Sequence, residues 1–438
     1  MDGGLWRRTW RHDRPALAVT GAAALLASIG WRAITRPMGD TPSYRATAAI
    51  LRDGWGSITE RGPGYPLLLV LTGADDRSSR VLFLAQLALH VAAIVLVVDL
   101  ARRADVGRFG RTALALLLVA PPVLLRVVYE ATEALAALLV TAIAWLLLTP
   151  PEPGRRVRWA VALGLLCGGA GLTRPNLAVL VVPVAVVVAV RVGGADGRRA
   201  AIAVAGPAML LIGGLAVANG LRFDSYGLTP LTPYHLNAKT APYVEELPER
   251  FEPGRSVLIE ARDAALLHGG SSAPDNYIWD ARPALEEATG LRGRALDRWV
   301  LAVDRHLIAH HPLDYLDTVE AASLRYVQMD SQPAVQGLGR PIAQLEQLLH
   351  LGLLAVTVAL VSLVPGLALA GQVARRPWQS WVVAMLLSAS TWLSAVTTES
   401  GTARLRAPVE PLLALGVVVS ASVVRRAWRS RPARRGTA

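Results

Sequence analysis

The chain has 438 residues, 53% of them hydrophobic, a mean hydropathy of +0.39 and a formal net charge of +12. This composition excludes an ordinary soluble domain, because the apolar residues fall in long blocks with few charges. The positive charge does not indicate nucleic acid: Arg clusters punctuate the apolar blocks and read as loop anchors, so no nucleic-acid partner is expected.

Lys239 is the only lysine, and the wealth of Arg, Ala, Val, Leu and Gly reads as a high-GC, bacterial genome. The single cysteine, Cys167, excludes an intrachain disulfide and a cysteine metal cluster.

In chain order, the apolar blocks predict about ten membrane spans: 15–34, 79–100, 112–129, 131–149, 157–173, 176–191, 200–220, 346–370, 378–396 and 407–424. Each approximates the ~20 residues needed to cross the hydrocarbon. The first follows a basic stretch, Arg7 to Arg14, and reads as an uncleaved anchor rather than a signal peptide. Pro121-Pro122 should kink or end the third, and Gly168-Gly169-Ala170-Gly171 interrupts the fifth.

Arginines recur at alternate connections: Arg7 to Arg14, Arg102 to Arg111, Arg155 to Arg158, Arg198-Arg199, Arg375-Arg376 and Arg425 to Arg429. That places both termini in the cytoplasm of a multi-pass plasma-membrane protein. Left outside are 35–78, a turn near 130, the Thr173-Arg174-Pro175-Asn176 turn, 221–345 and 397–406. The organisation is therefore an N-terminal transmembrane module, 1–220, with its first extracytoplasmic loop at 35–78. An extracytoplasmic loop domain, 221–345, follows, with a helix expected from Arg294 to Ala309. C-terminal transmembrane helices, 346–424, and a basic tail touching anionic lipid, 425–438, complete it. The fold class is an all-α polytopic membrane protein.

Several residues on the outer side carry chemistry. Asp40, in Gly39-Asp40-Thr41-Pro42-Ser43-Tyr44, sits at the water–lipid boundary. It or Thr41 caps an interfacial helix that starts at Pro42 and is lined by Tyr44, Ala48, Leu51 and Trp55, with Arg45, Arg52 and Asp53 facing water. Capping and catalysis are compatible, since a carboxylate at a helix start is held rigidly. Glu130 and Glu133 share one helical face at the outer hairpin, either as solvated charges or as groups that bind an acceptor or a metal or support Asp40. Arg174, Arg404 and Arg406 lie outside, against the charge rule; they either snorkel to lipid phosphates or clamp a phosphate in bidentate fashion. His306, His310 and His311, with Asp304 nearby, have no zinc-protease spacing. No Walker loop, dinucleotide fingerprint or nucleophile elbow is present, which argues against a nucleotide-sugar enzyme and a nucleotide-driven pump.

Four outer stretches together resemble the GT-C superfamily of integral membrane glycosyltransferases, in the branch of protein O-mannosyltransferases and bacterial aminoarabinose transferases. They are Gly39 to Tyr44, Arg61-Gly62-Pro63-Gly64-Tyr65-Pro66, Glu130 to Leu135 and Leu172-Thr173-Arg174-Pro175, and the last outer turn, Arg404-Leu405-Arg406-Ala407-Pro408-Val409-Glu410-Pro411, resembles the family's ending. The resemblance implies a GT-C-like helical bundle and inverting transfer of a sugar from a polyprenyl-phosphate donor to an envelope glycan, lipid or protein. It implies no nucleotide cofactor and leaves a divalent metal open; where several relatives carry two adjacent acidic residues, this chain has Asp40-Thr41.

Asp40 is then the expected base for the acceptor hydroxyl, worth about 10²–10⁴-fold. Arg174, Arg404 or Arg406 would hold the donor phosphate. Tyr44 and Tyr65 would stack on sugar or close the pocket, and spans three and five would border a groove for the polyprenyl chain. Two other classes fit less well: a flippase for lipid-linked sugars, which predicts charges at mid-membrane depth and related halves, and a non-catalytic subunit of an envelope assembly.

Overall fold

The structure is a computed structural model that describes residues 13–30, 34–57, 59–149, 151–269, 277–327, 361–371, 373–399 and 403–429. Among these residues the regular elements are helices, and helix α1 (Arg14–Gly30) is the first of the bundle. Two short helices follow, α2 (Thr41–Arg52) and α3 (Gly64–Thr72), then α4 (Arg80–Arg103), α5 (Arg108–Val119), α6 (Glu133–Leu147) and α7 (Arg156–Thr173). A 3₁₀ turn, Pro175–Leu180, leads into α8 (Val181–Val192) and α9 (Gly194–Phe223).

The loop region folds as α10 (Thr232–Thr240), α11 (Gly254–Gly269), α12 (Tyr277–Thr289), α13 (Arg294–His310) and α14 (Pro312–Val327). The chain closes with α15 (Arg375–Thr398), a 3₁₀ turn at Ala403–Val409 and α16 (Glu410–Arg429).

Among the described residues, five segments are long and apolar enough to cross a membrane: Arg80–Arg103, Pro175–Val192, Gly194–Phe223, Arg375–Thr398 and Arg404–Arg429. Arg14–Ile29 and Glu133–Leu147 are apolar but shorter. The expected third span divides as the proline pair requires. Helix α5 ends at Val119, and Pro121–Leu124 and Leu125–Val128 form two separate short turns. Most of the expected span 346–370 lies outside the described residues.

Helix α8 shows why these helices suit lipid. Val181, Val184 and Val188 pack inward, while Val182, Val186 and Val190 are exposed, so the helix is apolar on both faces. This architecture fits a multi-pass membrane protein.

The bundle core joins α4–α9, α15 and α16. Small residues let α7 and α9 approach closely: a Cβ on Gly164 would lie 2.2 Å from the Val204 carbonyl oxygen. Gly168 and Gly171 likewise face Leu211 and Ile212 of α9. These three glycines form a helix–helix contact, so they face protein, while Gly169 between them faces open space.

Arginines of the connection after α4 and of the last helix gather at one end of the bundle. Arg111 pairs with Asp13, Arg102 and Arg103 with Asp99, and Arg426 donates to the Asp105 carbonyl at 2.8 Å.

The loop region has its own core, with Val244, Leu258, Ile278, Leu285, Val300 and Leu307 at its centre. Helix α13 explains why it folds: Leu296, Val300, Val303, Asp304 and Leu307 recur at helical spacing and all are buried. Its observed end, His310, lies one residue beyond the expected Ala309. Asp304 accepts from Asn237 Nδ2 and Thr240 Oγ1, each at 2.8 Å, and Tyr277 hydrogen-bonds the other end of Asn237. Burial pushes the Asp304 carboxyl up to about 7, against the opposing pull of those hydrogen bonds.

Candidate active site

The site lies at the end of the bundle opposite the arginine clusters, and backbone pairing builds it. After α1 the chain runs beside residues 128–130: Arg36 N–H donates to the Val128 carbonyl at 2.7 Å, and Glu130 N–H to the Arg36 carbonyl at 3.0 Å. Gln86 of α4 fixes the same strip by donating to the Val127 and Tyr129 carbonyls at 2.8 and 3.0 Å. Its oxygen accepts from the Tyr65 hydroxyl at 3.0 Å.

The Arg61-Gly62-Pro63-Gly64 stretch then presses on the Leu172-Thr173 turn. A Cβ on Gly62 would stand 2.3 Å from the Leu172 carbonyl oxygen, and one on Gly64 2.5 Å from Thr173 Oγ1. Two stretches that the sequence separates by about a hundred residues thus meet because neither glycine has a side chain.

Asp40 occupies the N-cap position of α2, yet its side chain makes no cap hydrogen bond. Thr41 provides the local contact, accepting from Met38 N–H at 2.8 Å. The Asp40 carboxylate is turned to arginines instead: Oδ1 accepts from Arg61 Nη2 at 2.8 Å and Oδ2 from Arg404 Nη1 at 2.5 Å. Arg404 also donates from Nε to Glu133 Oε1 at 2.5 Å, and Arg174 Nη2 stands 3.8 Å from that same oxygen. Asp40, Glu133, Arg174 and Arg404, spread over 364 positions of sequence, therefore form one ionic cluster. Burial raises the Asp40 pKa, but the Arg404 and Arg61 charges outweigh it and hold the carboxyl below the usual range.

Three guanidinium groups face two carboxylates here, leaving one positive charge over. A surplus cation in a half-buried cluster favours an anion as its ligand. Arg404 Nη2 and Glu133 Oε2 are buried without a hydrogen-bond partner among the described residues, so each has capacity left for a ligand or for water.

The other expected site residues lie elsewhere or play other parts. Glu130 does not share a face with Glu133: it precedes α6 and is fully buried against Arg45 and Thr35. Arg45, expected to face water, makes two hydrogen bonds to it at 3.1 and 3.0 Å. Both partners of that pair are therefore taken up inside the fold, and Glu130 offers no free group to a substrate.

Tyr44 and Tyr65 stand edge to face with centroids 5.1 Å apart, and only 5% and 0% of their surfaces are exposed. With no ring face open, they support the site from beneath rather than stack on sugar. Burial pushes both phenols up, so they stay protonated at neutral pH.

Arg406 belongs to a neighbouring cluster. It donates to Glu410 at 3.3 Å and to the Tyr326 carbonyl at 2.6 Å, and Glu410 is also gripped by both terminal nitrogens of Arg126. Arg406 is thus a second-cluster residue and not a partner of Asp40.

Among the described residues no three His, Cys, Asp or Glu side chains converge as a metal-ligand set. His306 binds Arg250, His310 binds the His306 carbonyl, His311 faces Asp314, and Asp304 is buried with Asn237 and Thr240.

Sequence reasoning missed Arg61, Arg45, Gln86 and Arg126. Arg61 alone had a signal, the adjacent Gly-Pro-Gly that demands close backbone approach. It missed His235 too, which the loop region brings toward the site: Thr229 Oγ1 donates to the Glu60 carbonyl, and the imidazole feels the charges of Glu399, Arg61 and Asp40. Burial, ahead of those charges, lowers the His235 pKa.

Residues 65–218 match the model of the dolichyl-phosphate-mannose-protein mannosyltransferase family. The match supports a GT-C superfamily glycosyltransferase. It covers about a third of the chain and includes Tyr65, Glu130, Glu133 and Arg174, while Asp40, Arg61 and Arg404 lie outside it. No curated protein and no solved structure matches the chain.

Proposed function

We propose that this protein transfers a sugar from a polyprenyl-phosphate donor to a hydroxyl of an envelope glycan, lipid or protein, on the extracytoplasmic face of a bacterial plasma membrane. The observation that carries the proposal is Arg404, one guanidinium that touches both Asp40 and Glu133 at the bundle end away from the arginine clusters. The family match to a lipid-phosphate-dependent mannosyltransferase supports the donor class.

Asp40 is the general base. The acceptor oxygen attacks the anomeric carbon as its proton passes to the carboxylate, and the bond to the phosphate oxygen breaks on the opposite face. Negative charge grows on the departing phosphate, where Arg404 and Arg174 stabilise it. A guanidinium does this more strongly in a water-poor cleft than in bulk water. Glu133 holds Arg404 and Arg174 in place. The energy lies in the sugar–phosphate bond, so no nucleotide is needed.

A deletion strain tests the reading. It should accumulate a sugar-charged polyprenyl phosphate and lose one sugar from an envelope component, and the wild-type gene should restore both where the Asp40→Asn gene restores neither. A deletion that leaves lipid-linked sugars and envelope glycans unchanged would refute the proposal.

A further inference from the structure

The two arginines on Asp40 are held differently. Arg61 is held at three points: Nη2 reaches Asp40 Oδ1 at 2.8 Å, Nε donates to Ser43 Oγ at 2.8 Å, and Cζ lies 5.2 Å from the centre of the Tyr44 ring. All of these partners belong to one short stretch around the start of α2. Arg404 comes from the far end of the chain and is shared, with Nε on Glu133, Nη1 on Asp40 and Nη2 buried without a partner among the described residues.

This arrangement conflicts with general base catalysis as it stands. A carboxylate with one guanidinium on each oxygen is a poor proton acceptor, because both arginines stabilise its charged form. Asp40 is in that state here, with its pKa held low. Something must remove one arginine before the acceptor hydroxyl can be deprotonated. A phosphate is suited to do so, since the two non-bridging oxygens of the donor diester, sharing one negative charge, match the guanidinium fork at least as well as a single carboxylate oxygen does.

We infer that the donor phosphate competes with Asp40 for Arg404, so that donor binding itself unmasks Oδ2 as the proton-accepting atom while Arg61 keeps Oδ1 in place. The inference rests on the transferase reading given above. Binding is then ordered, with the lipid-linked donor before the acceptor. The balance is complete: acceptor oxygen to anomeric carbon forms, anomeric carbon to phosphate oxygen breaks, the proton goes to Asp40 Oδ2, and the bonding pair leaves on the phosphate monoester. That product carries one more negative charge than the donor and is held by Arg404 until it departs. Arg61 is a positioning residue in this scheme, and Arg404 touches the leaving group.

The test is equilibrium binding of polyprenyl monophosphate, with no sugar, to the purified full chain in nanodiscs of zwitterionic lipid. Removing the competitor should tighten binding: Asp40→Asn, and Asp40→Ser as a second variant, should bind about tenfold more tightly than wild type, because Arg404 is no longer occupied in the free protein. Arg404→Gln should bind more weakly than wild type, and Asp40→Asn in that background should bring no tightening. Glu130→Gln, which removes a nearby charge paired with Arg45, should leave the affinity within about twofold, separating competition from general charge effects.

Arg61→Gln should leave lipid-phosphate affinity within about twofold and lower the transfer rate without raising the donor KM. Unchanged or weaker binding by both Asp40 variants, or tightening that persists without Arg404, would overturn the inference. The outcomes separate from those of the transferase reading. Tightening with transfer intact removes Asp40 as base and keeps the competition, whereas loss of transfer without tightening does the reverse.

Discussion

Glu133 and Arg404 should be strongly coupled, and a double-mutant cycle measures this. The Glu133 side chain is 7% exposed and that of Arg404 19%, so the pair is close to fully desolvated. Breaking such a pair from one side costs about 3–5 kcal/mol, because the partner left behind keeps its buried charge. Arg174, 3.8 Å from Glu133, softens the loss, so Arg404→Gln should fall at or just below that range, about 2–3 kcal/mol. Glu133→Gln leaves Arg404 with Asp40 alone and should cost a similar amount. The double variant removes both buried charges, and its total should fall short of the sum by about 1–3 kcal/mol. The assay is reversible denaturation in mixed micelles, read by tryptophan fluorescence. Costs that add to within about 0.5 kcal/mol would show that the two side chains do not meet.

Gly64→Ala puts a methyl where Thr173 Oγ1 already stands and should destabilise by about 1–3 kcal/mol, with a parallel fall in transfer; an unchanged midpoint would contradict the close approach. Asp304 holds its proton in the folded state up to about pH 7, above its ordinary value of 3.8, so its contribution to stability is full below pH 3.8 and is lost as pH rises toward 7. Asp304→Asn should therefore stabilise the protein at pH 8, change little at pH 4 and flatten the midpoint-versus-pH curve between them. A curve parallel to wild type would refute the shift. The opposite sign holds at Asp40, whose stabilising effect is present above pH 3.8 and is lost as acid carries it through its lowered pKa, so Asp40→Asn should blunt acid unfolding below pH 4. For sidedness, Cys167 is buried, so a membrane-impermeant maleimide applied to intact cells should label Asp53→Cys and not Arg108→Cys; the reverse pattern would invert the proposed topology.

The helices were legible where local rules decide. Hydropathy located α4, α7, α9 and α15, the proline pair ended α5, and the helix expected from Arg294 to Ala309 is α13. Lengths were less legible: a run of apolar residues does not fix where its helix begins and ends, and the block expected over 131–149 forms a helix of 15 residues, Glu133–Leu147. Asp40, Glu133, Arg174 and Arg404 could be named because each is an ionisable group at the edge of an apolar block. Which arginine meets which carboxylate could not be read, since that choice is made by tertiary packing among many arginines. Arg45 was assigned to water by helical phase alone, yet the 128–130 strip brings Glu130 within its reach. Tyr65 was expected to stack on sugar or close the pocket, but Gln86, nearly two turns into α4, captures its hydroxyl. Arg406 was grouped with Arg404 by proximity in sequence, and the 3₁₀ turn at Ala403–Val409 sends the two side chains to different carboxylates.

The central claim is that Asp40 accepts the acceptor proton in a sugar transfer from a lipid phosphate. The most direct measurement is transfer of radiolabelled sugar from a polyprenyl-phosphate donor by membranes holding equal amounts of wild-type and Asp40→Asn protein. The account predicts a loss of at least about 10²-fold in rate with the donor KM not raised. Transfer by the Asn variant at the wild-type rate would contradict it.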